Sequence, residues 1–140
     1  MPIEESGEAV PVPGDALVIR FRPTSPDSVL KRASNEFLRT SRHGASVFVT
    51  VRRAGETDAA MRRRLLGVAE ISGMAPENHP KYYVCANAEE LIRRGFVFYK
   101  DGDDDERDEH YSVDLGAEAT RDDAERFLGA FGPAEERDQL

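Results

Sequence analysis

Two alternating runs of residues stand on either side of an acidic segment late in the chain. The first, Phe96 to Lys100, is rich in the aromatic and β-branched side chains that are typical of strands. The second alternates between an apolar and a polar set of residues: Tyr111, Val113 and Leu115 against His110, Ser112 and Asp114. Because successive strand side chains point to opposite faces of a sheet, the pattern predicts a β-hairpin with one buried and one polar face.

Residues 16–22 and 45–51 alternate in the same way and are predicted as two earlier strands. We expect the apolar side of each strand to face the core: Leu17, Ile19, Phe21, Val47, Val49 and Val51. The intervening residues of the first strand, Val18, Arg20 and Arg22, should then face away. A short strand is predicted at 81–85. Residues 68–72 are predicted as another strand, with a helix that continues to Ile71 as the alternative.

The first predicted helix has the clearest boundaries. Ser25 suits the N-cap, Pro26 suits the first helical position, and Asp27 favours the positive end of the helix dipole. Apolar residues then recur at helical spacing from Val29 to Leu38, so this side of the helix should pack against the sheet.

Three shorter helices are predicted further along the chain. One begins near Thr57 and should end just before Gly67, which allows a turn. A second follows Asn87, which has capping-box spacing to Glu90. The last begins at Thr120, another suitable N-cap.

These elements predict an α+β fold. A nine-residue loop cannot hold a crossover helix, so the hairpin requires at least one antiparallel strand pair. We expect a mixed, largely antiparallel sheet with helices mainly on one face and a late β-hairpin. Residues 1–14 are predicted as a flexible arm, 15–132 as a single domain with an acidic loop at 101–109, and 133–140 as a flexible tail.

The charge of the chain is divided along its length. The net charge is −8, yet residues 14–100 carry 15 basic and 9 acidic side chains, whereas residues 101–140 carry 4 basic and 15 acidic ones. Seven of these acids lie in the loop at 101–109. A basic body with an acidic loop can serve solubility, attract a basic partner or mask a basic surface of the same chain.

Several features predict a cytoplasmic protein without a membrane segment. No apolar run approaches the roughly 20 residues of a membrane span. The first residues are acidic and proline-rich, whereas a secretory signal begins with a basic and then an apolar stretch. Cys85 is the only cysteine, so no disulfide can form within one chain.

One sheet face is predicted to gather polar side chains that could bind a ligand. Its members are Arg20, Arg22, Ser46, Thr50, His110, Ser112 and Asp114. Arginine can grip a phosphate or carboxylate with two hydrogen bonds, and histidine can carry a proton near neutral pH. Arg20, Ser46 and His110 are therefore the catalytic candidates. The alternative is an ordinary solvated face, because antiparallel sheets commonly expose one side.

Two charged clusters are further binding candidates. Arg62, Arg63 and Arg64, with Arg52 and Arg53 upstream, form a basic patch that could contact nucleic acid. The acidic loop offers Asp103, Asp104, Asp105 and Glu106 to a basic partner. The loop lacks the glycine and the terminal glutamate of a calcium-binding loop, and the histidines and cysteine lack zinc-site spacing. We therefore expect no dedicated metal site and no cofactor.

Short segments resemble known families. GASVF at 44–48, GF at 95–96 and HYSV at 110–113 together resemble small, mostly uncharacterised bacterial proteins of mobile or conflict-related gene neighbourhoods. The chain also resembles ADP-ribosyltransferase cores, which place an arginine on the first strand and a serine-led segment on a following strand. Arg20 and Ser46 match these two positions, and the resemblance implies a nucleotide substrate such as NAD.

Three functional hypotheses follow. The first is a non-enzymatic interaction or regulatory module that binds another cytoplasmic protein, because no catalytic set is complete and the charge is segregated. The second is a small nucleotide- or NAD-using enzyme that employs Arg20, Ser46 and His110. The third, less favoured, is nucleic-acid binding through the region from Arg52 to Arg64.

Overall fold

The computed structural model describes residues 9–21, 25–68, 82–100 and 109–136. These residues form ten elements in chain order: β1 Leu17–Arg20, α1 Pro26–Thr40, β2 Gly44–Thr50, α2 Asp58–Val68, β3 Tyr82–Asn87, α3 Ala88–Arg93, β4 Val97–Lys100, β5 His110–Asp114, α4 Arg121–Leu128 and β6 Glu135–Glu136. None of the described helices is long and apolar enough to span a bilayer.

The strands form one sheet in the order β4-β5-β2-β1-β3-β6, and every pair is antiparallel. The late hairpin pairs Phe98 with Val113 and Tyr99 with Ser112. The predicted α+β fold with a largely antiparallel sheet is thus confirmed.

Helices pack against both faces of the sheet, and α2 covers only part of the second face. On the face that we call inner, Val18, Val47 and Val113 pack with residues of α1, α3 and α4, among them the fully buried Leu91 and Phe127. On the opposite, outer face, a smaller cluster joins strand residues to α2: Leu17, Ile19, Phe48 and Tyr83 with Met61, Leu65 and Leu66. Three helices therefore lie on the inner side and one on the outer side.

The predicted orientation of β1 was wrong. Val18 pairs with Val49 and Ile19 with Phe48, so Leu17 and Ile19 share a face with Phe48 and not with Val49. All four residues of β1 are buried, including Val18 at 0% exposure, because helices cover both of its sides. Leu17, Val18 and Ile19 are all apolar, so the sequence pattern could not show which side of β1 faces the main core.

Three residues predicted to face the core, Phe37, Leu38 and Val51, are instead exposed. Val51 lies just past the end of β2 and is 48% exposed. Leu38, at the end of the apolar stripe of α1, is 80% exposed. The apolar stripe of α1 therefore extends beyond the part of the helix that packs against the sheet.

The start of α1 agrees with the prediction, whereas two other helix signals do not. Ser25 Oγ accepts a hydrogen bond from Ser28 N. The predicted turn at Gly67 is absent, because α2 continues through it to Val68. Residues 69–72 of the predicted strand lie outside the described residues. Asn87 is the N-cap of α3 but its side chain makes no capping hydrogen bond.

Parts of the predicted arm and tail lie against the sheet. Val10 N donates to Phe98 O at 2.8 Å, Ala9 forms a bridge with Tyr99, and Val12 packs against the inner cluster. In the tail, β6 pairs with β3. These contacts were not predicted from the sequence. Residues 1–8 and 137–140 lie outside the described residues.

Candidate functional site

A row of hydroxyl groups crosses three strands on the outer face. Ser46 of β2 pairs with Ser112 of β5, which pairs in turn with Tyr99 of β4. His110 and Asp114 lie two residues to either side of Ser112 and share its face. We call these five residues, Ser46, Tyr99, His110, Ser112 and Asp114, the polar strip. Ser46 is exposed and the other four are half-buried, so the strip is accessible beside the region that α2 covers.

A short contact in the polar strip joins Ser46 and His110. Ser46 Oγ lies 2.5 Å from His110 Nε2. The imidazole stacks on the Phe48 ring, with ring centres 4.8 Å apart and planes within 14°. Phe48 belongs to the outer cluster, so the position of His110 is tied to the packed part of the fold.

The rest of the polar strip is held by local contacts. Asp114 Oδ1 accepts a hydrogen bond from Gly116 N at 3.0 Å. The Arg42 guanidinium carbon lies 3.9 Å from the centre of the Tyr99 ring, which is the geometry of a cation–π contact. Gly44 stands beside Ser112, and a Cβ there would come within 3.1 Å of Ser112 Oγ.

Arg20 does not belong to the polar strip, contrary to the prediction. It follows Ile19 in β1, and Ile19 is on the outer face, so Arg20 points to the inner face. Its side chain is 3% exposed, and its guanidinium carbon lies 5.3 Å from the centre of the Phe127 ring. Burial, with a smaller effect from Arg32, lowers the pKa of Arg20 to about 10.

Thr50 also falls outside the polar strip. Thr50 is on the outer face, but its Oγ1 accepts a hydrogen bond from Arg64 Nη1 of α2 at 2.8 Å. Arg22 lies outside the described residues. Of the residues predicted for one polar face, the structure brings together Ser46, His110, Ser112 and Asp114.

The basic patch also contains acidic side chains: Glu56 and Asp58 lie within its own segment, and Glu135 comes from later in the chain. Arg62 Nη1 donates to both carboxylate oxygens of Glu135, at 2.9 and 3.0 Å. Arg64 donates to both oxygens of Glu56 at 2.8 Å, and Arg52 pairs with Asp58. The hydrogen bond from Arg64 is the main reason that the pKa of Glu56 falls to about 2.

Cys85 lies beside this patch. Its Sγ donates to Glu135 Oε2 over 3.5 Å, and the residue is half-buried. Burial raises the pKa of the thiol.

Within the described ranges, no three His, Cys, Asp or Glu residues come together as a metal-binding group. Asp103, Asp104, Asp105 and Glu106 lie outside those ranges.

Two residues of this region were not predicted from the sequence. Tyr99 alternates with Phe98 in β4, so its position on the polar face could have been read from the same pattern as that of Ser112. Arg42 precedes β2, and no local signal indicates that it would reach the ring of a residue two strands away.

These observations define the protein as an α+β domain with an accessible polar strip on one sheet face. Comparison with protein-family models, with curated proteins and with solved structures gives no match to this chain. The two resemblances drawn from short segments therefore stay predictions.

Proposed function

We propose that the protein is a non-enzymatic interaction module that binds a basic surface of another cytoplasmic protein through the polar strip and the acidic loop. The observation that carries the proposal is the accessible row from Ser46 through Ser112 to Tyr99. Aligned hydroxyl groups at an open sheet face supply hydrogen bonds for a partner surface.

The sequence beside the polar strip indicates the charge of the partner. β4 ends at Lys100 and β5 begins at His110, so the acidic residues at 101–109 connect two of the strands that carry the strip. Asp114 adds a carboxylate within the strip itself. Charge complementarity therefore favours a positively charged partner.

The positions of the arginines support binding over the two alternative functions. Arg20 faces away from Ser46 Oγ and His110, so these three side chains cannot hold one nucleotide from the same side of the sheet. Arg62 and Arg64 donate to carboxylates of their own chain, which lowers the positive charge that they can offer to nucleic acid.

Neutralising the acidic loop tests the proposal. One variant replaces Asp103, Asp104, Asp105 and Glu106 with Ser. A control variant replaces four exposed acids of other loops and helices with Ser, which gives the same change in charge: Glu89, Glu118, Asp122 and Glu125. The amount of co-purifying protein is measured by quantitative mass spectrometry for both variants and the parent chain.

The loop variant should lose its basic partner, and the control should keep it. Partner binding by the parent should also weaken with added salt, since the Debye length falls to about 3 Å at 1 M. Retention of the partner by the loop variant would count against the proposal. Newly gained binding to polyanions would show instead that the loop masks the arginines of its own chain.

A further inference from the structure

We propose that Ser46 is a reactive serine that attacks small acyl esters, with His110 as its general base. This chemistry ends at a covalent adduct of Ser46 without turnover, so it is compatible with a non-enzymatic module and does not depend on the proposed protein partner. It rests on the 2.5 Å separation of Ser46 Oγ and His110 Nε2, which brings the hydroxyl proton within reach of the imidazole.

The two side chains are held in position by regular structure. β2 and β5 pair with Ser46 opposite Ser112 and Phe48 opposite His110, which sets Ser46 and His110 diagonally on one face. The Phe48 ring, which is 9% exposed, supports the face of the imidazole. A site on paired strands keeps its geometry better than a site on loops, so the contact is ready before an ester arrives.

The chemistry requires one tautomer of His110. When the proton is on Nδ1, Nε2 is an acceptor and can take the proton of Ser46 Oγ. Ser46 is exposed on an open face, so an ester carbonyl can approach its oxygen. Ser112, the direct cross-strand neighbour of Ser46, places a second hydroxyl on the same face. An open face offers little enclosure for a long acyl chain, which favours small activated esters.

The proposed step conserves atoms and charge. Ser46 Oγ bonds to the carbonyl carbon of the ester while its proton passes to His110 Nε2. The tetrahedral intermediate then collapses, the bond from carbon to the leaving oxygen breaks, and His110 returns the proton to the departing alcohol. The products are an O-acyl ester of Ser46, a free alcohol and His110 in its original state.

A fluorophosphonate probe tests this reactivity on the full chain. Its phosphorus takes the place of the carbonyl carbon. The bond from Ser46 Oγ to phosphorus forms while the hydroxyl proton passes to His110 Nε2, the phosphorus–fluorine bond breaks, and fluoride leaves; His110 then releases the proton to water. Mass spectrometry of the peptides locates the adduct, and its rate of formation is followed over time. The variants are Ser46→Ala, His110→Phe, which keeps a ring for stacking on Phe48, and His110→Gln. Ser34→Ala, at an exposed position in α1, is the control.

The adduct should form on Ser46 in the parent chain and in the Ser34 control, and it should vanish in Ser46→Ala. Both His110 variants should label at least about 100-fold more slowly, the lower range of general-base catalysis. Near-ultraviolet circular dichroism checks that each variant is folded. If His110→Phe is not folded, the labelling rate of His110→Gln decides the test. No adduct on Ser46 of the parent, or equal rates in the parent and a folded His110 variant, would overturn the proposal.

Discussion

Arg20 Nη1 donates to the carbonyl oxygen of Ser46 at 2.6 Å, whereas the hydroxyl of Ser46 lies on the other face of the sheet. The two residues therefore meet through the backbone of β2 and not through a shared ligand site. This relationship makes Arg20 part of the inner core and leaves Ser46 available on the outer face.

Replacing Arg20 with Ala should lower the free energy of unfolding by about 2–3 kcal/mol, because it removes a hydrogen bond from a buried charged group. The change should leave the reactivity of Ser46 toward the fluorophosphonate probe nearly intact under native conditions. Urea denaturation measures the stability, with Arg63→Ala at an exposed site of α2 as the control. Equal stabilities of the two variants would contradict a structural role for Arg20.

Both faces of the sheet should contribute to stability. Phe127→Ala removes a fully buried ring from the inner cluster and should cost about 3–5 kcal/mol. Leu65→Ala on the outer face should cost about 2–5 kcal/mol. Leu38→Ala, at an 80% exposed position, should change stability by less than about 0.5 kcal/mol. If Phe127→Ala lowers the free energy of unfolding and Leu65→Ala does not, the prediction that both faces contribute to stability is wrong.

Glu56 should make part of the stability depend on pH. The pKa of Glu56 in the folded chain is lowered to about 2 from an ordinary value of 4.5, chiefly by Arg64, so folding favours its ionised form. This stabilisation is fully present above pH 4.5 and is lost as the pH falls toward 2.

Glu56→Gln tests this linkage by removing the carboxylate. The parent should be more stable than this variant above pH 4.5, and the difference should shrink as the pH falls toward 2. Thermal denaturation across this range measures it, and Glu118→Gln is the exposed control. A parent–variant difference that stays constant with pH would rule out a native ion pair at Glu56.

Cys85 should react slowly with alkylating reagents near neutral pH. Burial raises the pKa of its thiol, and the thiolate is the reactive form. A Leu38→Cys variant supplies an exposed comparison thiol in the same molecule. Peptide mass spectrometry should find the introduced thiol alkylated several-fold faster than Cys85 in the folded chain, with the rates converging in denaturant. Similar rates in the folded state would mean that Cys85 is accessible.

The hairpin could be predicted from the sequence because its polar and apolar positions alternate without ambiguity. Ser112 and Asp114 are polar and Val113 is apolar, so only one face of β5 can be buried. The N-terminus of α1 was equally clear, since Ser25 and Pro26 act through the local backbone. Such signals depend on neighbours in the chain and need no knowledge of the tertiary fold.

The orientation of β1 could not be predicted for the opposite reason. Leu17, Val18 and Ile19 are all apolar, and helices on both sides bury all three. Because Arg20 is charged, its side of β1 was predicted to face solvent. In the structure, Arg20 instead donates to the carbonyl oxygen of Ser46 and lies beside the Phe127 ring of α4. Gly67 was predicted to form a turn, but α2 is fixed by Leu65 and Leu66 in the outer core and continues past it.

Site-specific photo-crosslinking tests most directly the claim that the polar strip is the binding face. A photoreactive amino acid is placed at Ser112 in one variant and at the exposed Glu125 of α4, on the inner-face side, in another. We expect a basic protein to crosslink at Ser112 and not at Glu125, and we expect the crosslink to be lost at high salt and in the loop variant with four serines. Equal crosslinking at the two positions, or a crosslink at Glu125 alone, would contradict this claim.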